Sequence, residues 1–484
     1  MSYYLGVDQG SNSSRAVLFD NNGKIVADAA QKVTLDRDNT GCVEHDAVQL
    51  LDSVSAVIQQ VLSGLDEQQL EQVLACGIAT QRSTVLAWDD NGKALSPALS
   101  WQDVRAEKLL QKLKTHEQEI LQLTGLPLTP YYSASKMNWL LNESDSVKHC
   151  SRDQLRLSPL ISYLLFHLLE NRPYTIDHSN AQRTQLFALD SLTWSEQLCS
   201  WFGIDPSLLP DCMPMCAGYG RLTDTHIPVT AVCGDQNAAM FGLGALEPET
   251  ALVNIGSGAF VLRELEHFSN SSDQLTGIAC SDMNKVSYMR EATVNGAANA
   301  LNWVQQQWQI DDLLARLPQW IEEVQQPPVF INAVGGLGTP WMQAGLHSSF
   351  TGSGNYTDAE KAVAVIESIV FMIQLNLELM SAESPLQQLR VSGGLSKQDG
   401  LCQKLSNLSG FELERTSVTE ATARGVAWLA AGRPQNWLIT GSGTDTGVIR
   451  FLPQQDEALQ TRYQIFKTEI ERLVNNIQQT DADK

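Results

Sequence analysis

Positive charge is in short supply in this chain. Against 55 Asp and Glu residues stand 33 Lys and Arg, a formal balance of -22. Nucleic acid or an anionic membrane would favour a basic surface, so neither is expected as a main partner. A phosphate ligand is not excluded, because a nest of backbone amides with a Mg²⁺ ion binds phosphate on an acidic protein. Also lacking are an apolar run long enough to span a bilayer and a basic-then-apolar leader. Membrane insertion is therefore not expected, and a cytoplasmic location is. The nine cysteines are scattered. Cys212 and Cys216 are the only pair close in sequence, and no second pair or nearby His completes a zinc set. Core thiols in a reducing compartment are the expectation. No low-complexity segment interrupts the chain.

What is present is an ordinary globular composition, 43% hydrophobic and 18% charged, over 484 residues. That length exceeds what one core usually supports, so two large domains are expected. The opening "YYLGVDQGSNSSRAVLFDNNGK", residues 3 to 24, reads as strand, small polar loop, strand and turn. The loop from Gln9 to Ser14 is either a solvated turn or a phosphate cradle, with Asp8 placed to hold a hydrated cation. Ala47 to Leu65 has helical apolar spacing. Val73 to Ala79 is a short buried strand leading to "TQRST". Trp101 to Leu123 reads as a charged amphipathic helix, and Lys136 to Leu141 and Leu155 to Leu169 as buried helices.

"PVTAVCGDQNAAMFGLGAL" (228 to 246) is a strand, a Gly-Asp-Gln turn and a small-residue helix. "ETALVNIGSGAFVLREL" (249 to 265) repeats the strand, small-residue turn and strand of the opening. The echo suggests a duplicated architecture with a nucleotide between two similar domains. Asp358 to Met380 reads as a long helix, "QLRVSGGLSKQDGLCQKLSNLSG" (388 to 410) as strand, Gly-Gly turn and helix, Glu420 to Ala431 as a small-residue helix, and Glu457 to Gln478 as a polar terminal helix. Alternating strands and helices indicate α/β layers. The stretch from Leu246 to Thr250 is the expected junction, dividing the chain into residues 1–246 and 247–484.

Asp235 follows an apolar strand and opens a helix. The residues alone leave it as a general base or a helix cap. Arg82, at a strand end, is either a two-pronged ligand for oxygens or a surface Arg. Trp101, Tyr131 and Phe260 by themselves read as core packing. Gln236 by itself is a first-turn surface residue, and the glycines by themselves are turn chemistry.

Taken in order, the motifs resemble the FGGY family of carbohydrate kinases, and within it the glycerol kinases most. The match runs from residue 3 to about 432. "DQGSNSSRAV" resembles the first phosphate loop, and "VEHD" (43 to 46) and "TQRST" (80 to 84) follow in family order. "YYSASKMNWLLNE" (131 to 143) fits the first family signature, and "GDQNAAMFG" (234 to 242) the catalytic segment. "GSGAF" (256 to 260) fits the second phosphate loop, "GGLGTPW" (335 to 341) the second-domain motif, and "SGGLSKQD" (392 to 399) the adenosine motif. The second signature, near "FTGSGNYTDAEKAVAVIES", departs at Ser353 and Lys361, where apolar residues are usual.

The resemblance implies two actin-like (ribonuclease H-like) domains around a cleft, with ATP and Mg²⁺ used to phosphorylate a small sugar or polyol. It makes Asp235 the general base and places Arg82, Ser83, Trp101, Tyr131, Gln236 and Phe260 at the substrate. Asp8, with Asp235, would serve the metal. Ser11, Asn12, Ser13 and Arg15 match the first phosphate loop, and Gly256, Ser257 and Gly258 the second. Gly394 and Gln398 match the adenosine site. Gly296 and Asn302 also match nucleotide positions, at a spacing that differs from the family's. Glycerol kinases carry a carboxylate directly after the motif Arg, where this chain has Ser83, so a substrate larger than glycerol is expected. A homo-oligomer is compatible with the pattern without being specified by it. The competing readings are an actin- or chaperone-like ATPase and a sugar-sensing homologue without efficient transfer. Sugar-independent ATP turnover would distinguish the first of these.

Overall fold

The computed structural model describes residues 2–38, 41–265, 267–343, 346–416, 420–438 and 448–482. The main sheet of the first half is built from β1 (Tyr3–Gln9), β2 (Ser13–Asp20), β3 (Ile25–Lys32), β4 (Val73–Thr80), β5 (Cys216–Arg221) and β6 (Pro228–Gly234). They form one sheet in the order β5-β6-β4-β1-β2-β3. β1, β2 and β3 make an antiparallel meander, while β4 runs parallel to both β1 and β6. The helices of this half that bear on the site are α1 (Ala47–Leu62), α2 (Ser133–Glu143), α3 (His178–Gln182) and α4 (Asp235–Met240).

The second half repeats the plan. The strands of its main sheet are β7 (Thr250–Ile255), β8 (Ala259–Leu265), β9 (Leu275–Ser281), β10 (Val286–Val294), β11 (Gln388–Ser392), β12 (Glu412–Arg415) and β13 (Ile449–Phe451). They lie in the order β9-β10-β8-β7-β11-β12-β13. β7 pairs antiparallel with β8 and parallel with β11, as β1 does with β2 and β4. Its helices include α5 (Ala298–Trp308), α6 (Asp358–Glu383), α7 (Asp399–Ser409), α8 (Ala421–Ala430) and α9 (Glu457–Ala482). The echo between the opening hairpin and residues 249–265 thus marks equivalent strands of two similar sheets. An isolated bridge between Cys216 and Asp282 joins the edge strand of one sheet to the end of the edge strand of the other.

Two stretches differ from expectation. Helix in the 101–123 region begins only at Glu107, runs to Leu113, and resumes at Glu117 after a single 3₁₀ turn. The cause is Asp103, whose carboxylate accepts from the Val43 and Arg105 amides and so holds a turn in place of a helix. Leu155–Pro159 is a strand paired antiparallel with Val85–Asp89, and the helix begins at Leu160. Pro159 disfavours helical backbone in the residue before it. A correction also applies to membrane-spanning runs. α6 is long and apolar enough to cross a bilayer, but 89% of its most apolar stretch is buried within the protein.

α8 comes from the second half of the sequence but packs on the first sheet, against β1, β4 and β6 and against α4. Glycines permit the approach. A Cβ on Gly6 would lie 2.1 Å from the Ala423 carbonyl oxygen, and one on Gly77 2.3 Å from that of Val426. From the other side, a Cβ on Gly425 would lie 1.8 Å from the Ala238 carbonyl oxygen. Gly425→Ala is therefore expected to lower the melting temperature, by an overpacking penalty of about 1–3 kcal/mol, despite alanine's better helix propensity. Gly218→Ala, where a Cβ meets nothing within 4 Å, is the control. Equal melting of the two variants would contradict this packing.

Candidate active site

Three adjacent parallel strands end at one edge of the first sheet. Gln9 of β1, Thr80 of β4 and Gly234 of β6 lie in register. Asp8 precedes that row by one residue, Asp235 follows it by one, and Arg82 by two. Carboxyl ends of neighbouring parallel strands are where α/β folds gather ligand-binding groups. Gly234 occupies the cap position of α4, with Asp235 the first helical residue, so the cap alternative for Asp235 does not describe its place. An Asp235 oxygen accepts from the Gln236 amide at 2.7 Å and lies 3.6 Å from Arg82 Nε. Burial pushes the Asp235 carboxyl above its usual range, and Arg82 only partly offsets this. Asp8 is pushed up to about 7, by burial first and by the Asp235 charge second.

Arg82 is gripped from the other half of the chain. Its Nη1 and Nη2 donate to Glu291 of β10 at 2.9 and 3.1 Å, and Nη1 also to Asn237 Oδ1 at 3.4 Å. Arg183, just past α3, donates to the same carboxylate at 2.5 Å. The Glu291 and Arg183 side chains are 1% and 5% exposed. Burial alone would raise the Glu291 carboxyl, but Arg183 and Arg82 hold it below its usual range. Burial and the Arg82 charge lower Arg183. Ser83 sits in left-handed backbone (φ 65°) and is buried, with its hydroxyl donating to the Arg183 carbonyl at 3.2 Å. A second link crosses the halves where Asn254 Nδ2 of β7 donates to Gln236 Oε1 at 3.4 Å.

Around this centre the expected residues fall into two groups. Trp101, 38% exposed, donates its indole N–H to the Ser11 hydroxyl at 3.0 Å, and Ser11 donates to Gln81 at 3.1 Å. Trp101 and Tyr131 face each other at a tilt, 6.4 Å between ring centres. Asn12 is exposed, and Ser13 opens β2. These residues share the strand-end edge with Asp8. Arg15, paired opposite Asp8 on β2, is held by both oxygens of Glu420, at 2.6 and 2.7 Å, beside the start of α8. Phe260 lies on β8, half-buried and opposite Asn254.

On the second sheet, Gly256, Ser257 and Gly258 form the turn between β7 and β8. The Gly256 and Ser257 carbonyls accept from the Ala298 and Asn299 amides at the start of α5. β7 and β11 run parallel side by side, so this turn and Gly393–Gly394 adjoin at one edge. A Cβ on Gly393 would lie 2.5 Å from the Ile255 carbonyl oxygen, whereas one on Gly394 meets nothing within 4 Å. Gln398 precedes α7 and is half-buried. Gly296 is buried against Asn332, and Asn302 is exposed on α5.

Sequence reasoning missed Glu291, Arg183 and Lys136. The first two carry no local pattern. Lys136 did leave a signal, being a lysine inside a helix read as buried. It is fully buried, donates to the Pro130 and Tyr131 carbonyls at 3.3 and 2.8 Å, and so fixes the loop that bears Tyr131. Burial pulls its ammonium down to about 7, with Asp103 opposing.

Comparison with known proteins settles the lineage. The profile of the N-terminal domain of the FGGY family of carbohydrate kinases matches residues 3–242, and that of the C-terminal domain matches residues 251–432. The chain belongs to the FGGY family of carbohydrate kinases. A glycerol kinase of Oceanobacillus iheyensis is 32% identical over 88% of this chain and 89% of its own length. One from Synechocystis is 31% identical over 90% and 91%. The crystal structure of Plasmodium falciparum glycerol kinase with ADP superposes with a TM-score of 0.85 at 24% identity, covering 98% of both chains. A gluconate kinase from Lactobacillus acidophilus gives 0.85 at 20% identity, over 98% of each chain. At these identities the two structures speak for the fold, which is that of a two-domain α/β kinase. The enzyme is a sugar or polyol kinase that uses ATP.

Glu291→Gln would leave two buried guanidinium groups with only Asp235, beside Arg82, to balance them. Breaking a buried pair in this way costs on the order of 3–5 kcal/mol. The variant should melt at lower temperature and lose phosphorylation activity at temperatures where it is still folded. Wild-type values for both would contradict the assigned role.

Proposed function

We propose that Asp235 is the general base that takes the proton from the acceptor hydroxyl, and that the substrate is a polyol or sugar larger than glycerol. What supports the base is its place at the strand-end edge, 3.6 Å from a fixed guanidinium. Arg82, locked by Glu291, would orient the substrate oxygens, with Gln236, Trp101, Tyr131 and Phe260 completing the pocket. Ser11, Asn12, Ser13 and Arg15 would meet the phosphates from the first half, and Gly256, Ser257 and Gly258 from the second. Gly394 and Gln398 would flank the adenosine, with Gly296 and Asn302 nearby. The cleft would divide residues 1–246 from 247–484.

Asp8 and Asp235 fit a Mg²⁺ ion. Asp8 is raised to about 7 by burial and by the neighbouring carboxylate, a load that a divalent cation would relieve. Among the described residues no group of three or more His, Cys, Asp or Glu could hold a metal by itself. The ion's remaining ligands would then be water and phosphate oxygens, the usual arrangement for Mg²⁺. When bound, it would neutralise charge developing on the transferred phosphoryl group. The chain's own share is to bind and orient the hydroxyl, hold Asp235 ionised beside Arg82, and accept the proton at a carboxylate oxygen.

The base should reveal itself in two ways. Asp235→Asn is expected to lower kcat by about 10²–10⁴-fold while ATP still binds. In the wild type, the ionised base is lost as pH falls through its raised value, so kcat/KM should decline with an apparent pKa above the ordinary aspartate value of about 4. An acid limb at or below that value, or near-wild-type turnover in Asp235→Asn, would refute the assignment.

Ser83 carries the substrate proposal. Its hydroxyl is engaged by the Arg183 carbonyl, and no carboxylate stands at this position to accept from glycerol. A hydrogen bond to a charged group is worth about 1.5–3 kcal/mol, so glycerol would bind roughly ten- to a hundredfold more weakly. ADP release should be measured with glycerol and with four- to seven-carbon polyols and ketoses, in wild type and Ser83→Glu. A larger substrate should win in the wild type, and the variant should shift toward glycerol. Glycerol winning outright in the wild type would overturn the proposal.

A further inference from the structure

The two sheets meet at their edges through a pair of thiols that the kinase chemistry does not use. Cys216 opens β5, the outer strand of the first sheet, and Cys280 lies near the end of β9, the outer strand of the second. Their sulfurs are 3.8 Å apart. Arg433 reaches both: its Nη2 is 3.1 Å from Cys280 Sγ, 3.7 Å from Cys216 Sγ and 3.3 Å from Asp282 Oδ2. The sequence pairs Cys216 with Cys212, but its partner in space is 64 residues away.

Arg433 is placed there by the backbone. It follows α8 in left-handed conformation (φ 64°), which non-glycine residues adopt uncommonly, and its amide closes the helix end on the Trp428 carbonyl at 2.9 Å. The side chain is 38% exposed and Asp282 32%, so the thiol pair is reached from solvent past two polar groups. Cys280 itself is buried. A guanidinium beside a thiol favours the thiolate, the reactive form. In keeping with this, Cys216 is pulled down to about 7 by the hydrogen bond from Cys280 and then by Arg433, against burial and Asp282. Cys280 is correspondingly raised, first by that same bond.

We propose that Cys216 and Cys280 form an oxidation site for hydroperoxides, with Cys216 as the attacking thiolate, Cys280 as the resolving thiol and Arg433 as the positioning cation. The Cys216 thiolate attacks a peroxide oxygen. The O–O bond breaks, Cys216 becomes a sulfenic acid, and the departing hydroxide or alkoxide takes a proton from solvent. The Cys280 sulfur then attacks the sulfenic sulfur, a disulfide forms, and the oxygen leaves as water with the Cys280 proton. Two thiols are oxidised and one hydroperoxide is reduced. The sulfurs need to close from 3.8 Å to about 2.05 Å. The product ties the edge of one sheet to the edge of the other.

The test treats the full-length protein with hydrogen peroxide at pH 7, traps free thiols with iodoacetamide, and reads intact mass and peptide maps. The expected result is a loss of two hydrogens, a Cys216–Cys280 linked peptide and full reversal by dithiothreitol. Cys216→Ser and Cys280→Ser should each abolish the link. Arg433→Met should retain both thiols but slow Cys216 modification at pH 7 on the order of tenfold, with the midpoint of its pH dependence moved upward. Cys280 left fully alkylatable after Cys216 has oxidised to sulfinic acid would overturn the pairing. So would both thiols remaining unmodified, or a disulfide to any other cysteine. An unchanged Cys216 rate in Arg433→Met would overturn the role of Arg433.

Discussion

Glu291 stands between two arginines inside the protein, and the candidate active site depends on that arrangement. Removing three charges from water is expensive, and mutual attraction offsets the penalty only when geometry and hydrogen bonding are good. Here both oxygens of Glu291 are engaged, by Arg82 and Arg183 together. A buried ion cluster of this kind is poor evidence of stability, but it fixes position well. Arg82 comes from the first sheet and Glu291 from the second, so the guanidinium beside Asp235 is held in place by the opposite half of the protein.

That dependence links fold to chemistry. The duplicated sheet gathers two sets of strand ends, the first bearing Asp8, Arg82 and Asp235, the second bearing the 256–258 turn and the Gly393–Gly394 turn, and the Asn254–Gln236 hydrogen bond links the halves. α8, returning from the second half to lie on the first sheet, adds a second tie through carbonyl-to-glycine contacts. With Arg15 bound to Glu420 next to that helix, a change in how the halves sit would be felt at the loop between β1 and β2.

Much of this was legible in the sequence, for physical reasons. The strand, small-residue loop and strand units declare themselves through β-prone runs broken by Gly and hydroxyl residues. The Gly-Asp-Gln turn declares itself through the switch from an apolar strand to a small-residue helix. Leu155–Pro159 was misread because a short apolar run has no period that separates strand from buried helix. Glu291 was invisible because its meaning lies in contacts 209 residues away with Arg82 and 108 away with Arg183. No local pattern encodes such a pairing. Ser83 was visible as a departure from the family, but its bond to the Arg183 carbonyl was not.

The account's central claim is that Arg82 and Glu291 act as one unit across the two halves. A double-mutant cycle tests it most directly, with kcat/KM for the best acceptor measured in wild type, Arg82→Met, Glu291→Met and the double variant under conditions where all four remain folded. Residues in one ion network couple by about 0.5–3 kcal/mol. The prediction is that the double variant falls well short of the summed losses of the two singles, because either change alone already dismantles the unit. Losses that simply add would contradict it.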